Sequence, residues 1–181
     1  LEAYILPLLE ADLPHLQNIR IGTKALGFWP YKFTTDKDAQ DLLTLFTKIV
    51  ESGKHLAFMA HFSHPKELET SVVQEAIQKI RTTGAVIRTQ APIMRRLNDT
   101  TEDWADMWHK QAKLGCIPYY MFIARDTGAQ DYFAIPLVKA LKIYQAAYRC
   151  ISGIAGNIHC SCVRSRWQWG RDCVARGFIA A

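Results

Sequence analysis

Apolar and polar positions along this chain alternate between two periods. Four short runs read as strands: NIRIGTKA (18–25), HLAFMAHF (55–62), AVIRTQAP (85–92) and IPYYMFIA (117–124). Runs of this length with β-branched and aromatic residues predict buried strands. Each is preceded by a stretch whose apolar residues recur every three or four positions, the mark of an amphipathic helix. The helix at 36–52 carries Leu42, Leu45, Phe46 and Ile49 and ends at Gly53. The next carries Val73, Ala76, Ile77 and Ile80 and ends at Gly84, with Ser71-x-x-Gln74 as a capping box. A third carries Trp104, Met107 and Trp108, follows the cap-like Asn98-Asp99-Thr100-Thr101, and ends at Gly115. A fourth, over 136–149, places Leu137, Leu141, Tyr144 and Tyr148 on one face.

Helix and buried strand in alternation predict an α/β fold with a parallel sheet and right-handed crossovers. No glycine-rich phosphate fingerprint follows any strand, which counts against a dinucleotide-binding domain. Four to five units make a partial TIM-like (β/α) barrel the expected architecture. It spans residues 1–155. Residues 156–181 mix Cys, Trp, Arg and Gly without a period and are expected to be irregular.

Composition narrows the class. With 181 residues, 49% hydrophobic and 22% charged, the chain can bury one ordinary core. No apolar run is long enough to span a membrane, and the first residues lack the features of a signal peptide, so a cytoplasmic protein is expected. The absence of an initiator Met makes Leu1 read as the interior of a longer chain. Of the net charge of +5, most falls in the tail, where Arg164, Arg166, Arg171 and Arg176 face Asp172 alone. So few charges argue for solubility, not for a nucleic-acid partner. Five cysteines, an odd number, argue against a disulfide framework, and His159-Cys160-x-Cys162 fits no common zinc spacing.

Ligands of parallel α/β folds bind at the carboxyl ends of the strands. Those ends turn polar together: Arg20, Thr23 and Lys24; His61, Ser63 and His64; Arg88, Thr89, Gln90 and Arg95; Arg125 and Asp126. A cationic set with amide and carboxylate members suits a small molecule bearing carboxylate and amine groups, such as an amino acid. Each residue alone also has an ordinary reading, as a loop charge, a turn former or a cap.

The motifs IRIGTK (19–24), HFSHP (61–65), TQ (89–90) with LND (97–99), and PYYMF (118–122) with RD (125–126) resemble the lysine 2,3-aminomutase family of radical S-adenosylmethionine (SAM) enzymes. The resemblance runs over about residues 1–155 and implies a six-unit partial barrel, of which this chain holds the third to sixth strands. It implies a reduced 4Fe–4S cluster that cleaves SAM to a 5′-deoxyadenosyl radical, and pyridoxal phosphate holding the substrate amine during its migration. Carried over, His61 and Gln90 line the SAM site, Asp126 faces the ammonium of a lysine-like substrate, and Arg20 and Lys24 lie near the cofactor. The C-x-x-x-C-x-x-C that binds the cluster does not occur, and the segments holding the SAM amino group and the pyridoxal lysine are unmatched; the first two are expected before Leu1. The tail departs from the family in a way that suggests a frameshift or truncation. The expected protein is thus part of a radical enzyme, inactive alone, with open sheet edges that leave a homo-oligomer open. Two alternatives stand beside it: a metal-dependent barrel hydrolase using His61, His64 and Asp126, and a non-catalytic half-barrel for binding or assembly.

Overall fold

A computed structural model describes residues 1–11, 13–123, 128–151 and 159–161. In chain order the elements are α1 (Glu2–Glu10), β1 (Asn18–Thr23), α2 (Ala25–Phe28), a 3-10 turn at Pro30–Phe33, α3 (Ala39–Glu51) and β2 (His55–His61). A second 3-10 turn (Pro65–Leu68) leads into α4 (Ser71–Thr82), β3 (Val86–Ile93), α5 (Thr101–Lys113) and β4 (Ile117–Ile123). Then come α6 (Gln130–Phe133), α7 (Leu137–Arg149) and β5 (His159–Ser161).

The four strands read from the sequence are all present, and the sheet runs β1-β2-β3-β4-β5 with every pair parallel. Sequential order is the decisive feature. Each right-handed crossover advances one strand in the same direction, so the helices all return on one face of the sheet. A doubly wound sheet would reverse direction and place helices on both faces. The architecture is therefore a partial (β/α) barrel. β5 lies beyond residue 155 and pairs with β4 through Tyr120, Met121 and Phe122, so the sheet extends past the expected barrel boundary.

One core joins the strands to the helices. From the sheet come Ile19, Leu56, Phe58, Ala60, Ile87, Ala91 and Met121; from the helices come Leu43, Phe46, Ile49, Ile77, Ile80, Trp104, Met107, Trp108, Ile143 and Ala147. Gly53, Gly84 and Gly115 follow the ends of α3, α4 and α5 with φ between 76 and 84°, the left-handed conformation that closes a helix and that glycine adopts without strain.

Two local readings are corrected. The cap of α4 is Thr70, whose side chain accepts from the Val73 amide, so the expected box at Ser71 is displaced by one residue. Gln74 instead donates to the carbonyls of Leu68 and Glu69. On α7 the buried residues are Ala140, Ile143, Tyr144 and Ala147, while Leu137 and Tyr148 are exposed. The buried face thus combines small and large residues, and Tyr144 meets Trp108 of α5 edge-on.

Candidate functional site

The register builds the site. Alternate residues of a strand point to opposite faces, and the helix face is taken by Leu56, Phe58, Ala60, Ile87, Thr89, Ala91 and Met121. The opposite, inner face therefore carries Met59 and His61 from β2, Arg88 and Gln90 from β3, Tyr120 and Phe122 from β4, and Arg20 and Gly22 from β1. His61 pairs in register with Gln90, and Gln90 with Tyr120. The inner-face row at the end of β2 thus reads His61, Gln90, Tyr120.

His61 has the most distinctive surroundings. Its Nε2 is buried and has no hydrogen-bond partner among the described residues. Its ring lies edge-on to Phe122 at 6.1 Å. Burial, assisted by the charge of Lys24, pushes its pKa down to about 4. The imidazole is neutral at pH 7 and holds unspent hydrogen-bonding capacity on the inner face.

Behind it stands a polar network at the ends of β1, β2 and β3. Lys24 Nζ donates to Ser63 Oγ at 2.8 Å and lies 3.9 Å from Glu67. Glu67 Oε1 accepts from the Ser63 amide at 3.1 Å. Burial pushes the Glu67 carboxyl up, against the opposing pull of Lys24. Gly27 makes room for that carboxylate: a Cβ there would collide with Glu67 Oε2. Asn98, fully buried, ties the strand ends together. Its Nδ2 donates to the carbonyls of Ser63 (2.8 Å) and Pro92 (3.0 Å), and its Oδ1 accepts from the Met94 amide (2.7 Å).

The structure separates the expected site residues. His61 and Gln90 are register partners, and the charge of Lys24 reaches His61. Arg20 is on the inner face, but as the third residue of β1 and not at its carboxyl end. Thr89 faces the helices and donates to Gln111 at 2.7 Å, so it belongs to the core. Thr23 accepts from the Ala25 amide and shapes the turn into α2. His64 accepts from the Lys66 amide and its Nε2 is 3.7 Å from Asp103, which makes it a cap of the 3-10 turn. Arg95 donates to the carbonyls of Asp131 and Tyr132 and anchors α6. Arg125 and Asp126 lie outside the described residues.

Glu67, Asn98, Gly27 and the tyrosine pair were missed as site residues. A bulge between Thr89 and Gln90 in the β3–β4 register admits one extra residue, Tyr119. Bulges re-aim side chains, and here Tyr119 and Tyr120 stand together, their hydroxyls 3.0 Å apart. The only sequence signal was the adjacency of two tyrosines in a strand whose alternation should have separated them.

No family model matches the chain. Among curated proteins it is 30% identical over 148 residues to an L-lysine 2,3-aminomutase-type protein of Aquifex aeolicus, covering 82% of this chain and 39% of that one. It is 25% identical to the L-lysine 2,3-aminomutase of Clostridium subterminale, covering 84% and 32%, and 23% identical to the glutamate 2,3-aminomutase of Clostridioides difficile, covering 80% and 32%. The chain is a relative of the radical SAM lysine 2,3-aminomutases. It spans between about a third and two-fifths of the length of these three relatives. Among solved structures, a radical SAM methyltransferase from Sphaerobacter thermophilus superposes with a TM-score of 0.48 at 11% identity, covering 66% of this chain and 38% of that one. No helix among the described residues is long and apolar enough to cross a membrane.

Radical SAM relatives imply SAM and a 4Fe–4S cluster, and the two fare differently against these residues. The cluster does not fit them. No group of three His, Cys, Asp or Glu side chains able to hold a metal occurs among the described residues. Of the described cysteines, Cys116 is buried with its thiol pushed up to about 12 by burial, and Cys150 is exposed at the end of α7. SAM fits better: the orphaned His61 Nε2 beside Gln90 offers two hydrogen-bonding side chains to a polar ligand on the inner face.

Proposed function

We propose that this chain supplies the SAM-facing strands of a radical SAM barrel of the aminomutase type, acting on an amino acid or an aminoacyl group. The observation that carries the reading is the in-register pair His61 and Gln90, with a buried, unpartnered Nε2, in a chain related to the aminomutases. A neutral imidazole both donates and accepts, and Gln90 does the same through its amide, so the pair can orient a ligand as polar as SAM. Lys24, held by Ser63 and Glu67, and Arg20 place positive charge around that position and favour anionic groups of cofactor or substrate. Asp126 is assigned to the substrate ammonium. When bound, SAM supplies the hydrogen-abstracting chemistry; these residues bind and orient it.

The test is equilibrium dialysis of the 181-residue chain with SAM. Saturable binding that His61→Ala and Gln90→Ala each weaken roughly tenfold or more supports the assignment. No binding, or binding that neither substitution changes, rejects it. The same chain, supplied anaerobically with iron and sulfide, is expected to form no 4Fe–4S chromophore and no 5′-deoxyadenosine. Cleavage of SAM would overturn the proposal that it is inactive alone.

A further inference from the structure

Two arginines on the inner face, exposed Arg20 and half-buried Arg88, have no counter-charge among the described residues. Among the described residues neither the Arg20 nor the Arg88 guanidinium has a hydrogen bond or a carboxylate within 4 Å, whereas those of Arg81 and Arg95 are both bonded to carbonyls. Arg88 is half-buried and its guanidinium stacks over Tyr119 at 5.0 Å from the ring centre. Stacking holds the guanidinium plane while leaving its N–H edges open to a ligand. The bulge places Tyr119 and Tyr120 side by side, with ring centres 3.9 Å apart.

Both charges reach the same point. The Tyr120 hydroxyl is pushed up by its hydrogen bond to Tyr119 and by burial, and Arg20 and Arg88 both pull it back down. Arg20 comes from β1 and Arg88 from β3, with the uncharged β2 residues Ala57 and Met59 between them in the register. Two like charges converging with no acid among the described residues raise the energy of the site, and an anion relieves it.

We propose that Arg20, Arg88 and the Tyr119–Tyr120 pair form an anion site on the inner face, taking the carboxylate or phosphate of a small molecule. The site meets the His61–Gln90 row at Tyr120, but its Arg88 charge lies lower: Arg88 precedes Gln90 by two residues, roughly 6–7 Å along the strand. It rests on the reading that the inner face is the ligand face. It would hold the far end of a ligand whose other end meets His61, and so selects substrates or cofactors with an anionic terminus.

The experiment is calorimetric titration of the 181-residue chain at low salt with inorganic phosphate and, separately, with glutarate. Saturable binding of one anion identifies its class as the ligand, and binding of both identifies the shared chemistry. Arg20→Gln and Arg88→Gln should each weaken it roughly tenfold or more. Arg149→Gln removes an equal charge from exposed α7 and should leave it unchanged. Arg88→Lys keeps the charge but loses the planar fork, and should weaken glutarate binding if the contact is bidentate; it also serves if Arg88→Gln fails to fold. No saturable binding of either anion overturns the proposal, as does an equal loss in Arg149→Gln, which would mark a diffuse field. SAM binding without anion binding would sink this site alone. Anion binding without SAM binding would leave the site standing and remove the SAM assignment.

Discussion

The two faces of the sheet are built from alternate residues of the same strands, yet they obey opposite rules. On the helix side Leu56, Phe58, Ala60, Ile87 and Ala91 are all at most 2% exposed. On the inner side the same two strands carry His61, Arg88 and Gln90, half-buried and with hydrogen-bonding capacity left over. Stability is concentrated on one face and chemistry on the other, and a shift of one residue along a strand crosses from one to the other. Substitutions should divide the same way.

The largest effect belongs to the helix face. Phe58 is fully buried and meets Phe33 and Phe46 edge-on at 5.6 and 5.7 Å. Phe58→Ala is expected to cost about 3–5 kcal/mol, read as a lower midpoint of urea unfolding. Arg88→Gln, flanked on β3 by the buried Ile87 and Thr89 but on the opposite face of the strand, should change the midpoint by less than about 0.5 kcal/mol. Equal losses from the two would erase the distinction between faces.

Asn98 should come next, because it serves the site by holding the chain. Replacing it with Ala strips partners from the Ser63 and Pro92 carbonyls and the Met94 amide. Buried groups left unpaired cost about 1–3 kcal/mol each before relaxation, so a total near 3 kcal/mol is expected by the same unfolding measurement. Gly27→Ala should cost less, about 1 kcal/mol, because the colliding atom is the tip of a flexible side chain, Glu67 Oε2. Its sharper signature is displacement of Glu67 from Lys24, visible as changed Lys24 side-chain NMR shifts. Unchanged Lys24 signals would mean that Gly27 plays no part in placing the carboxylate.

These contrasts also explain what the sequence made legible. Strand positions followed from short apolar runs, and helix ends from Gly53, Gly84 and Gly115, because burial and left-handed backbone leave direct marks on composition. His61, Gln90 and Lys24 followed from their place at strand ends. Glu67 and Asn98 left no such mark. A buried carboxylate or amide is recognisable only once its partners are known, and those of Asn98 come from positions 63, 92 and 94, which no local pattern brings together. The tyrosine pair was hidden by a bulge, since alternation assigns Tyr119 and Tyr120 to opposite faces. On α7 the sequence placed Leu137, Leu141, Tyr144 and Tyr148 on one face; of these Tyr144 is buried, beside Ala140, Ile143 and Ala147. Arg20 was placed at a strand end because the strand was read without its register; pairing with Ala57 shows it lower on the inner face.

The smallest effect at neutral pH should come from His61, and it tests the electrostatics of the inner face. Its pKa falls from 6.5 in the unfolded chain to about 4 in the folded protein, through burial first and the Lys24 charge second. Between those values the unfolded chain binds the proton more readily, so stability is intact above pH 6.5 and falls as pH drops toward 4. Glu67 acts in the opposite sense, since its raised pKa lets the folded state hold a proton more tightly and favours folding as pH falls. His61→Gln keeps a polar side chain and removes only the first contribution. It should leave stability at pH 7 almost unchanged and flatten the decline between pH 6.5 and 4 in a series of urea unfolding curves. Lys24→Met should shift the His61 imidazole pKa, followed by NMR, part of the way back toward 6.5. If the decline is as steep in His61→Gln as in the original chain, the orphaned imidazole is not desolvated in solution, and the inner face is wetter than its burial implies.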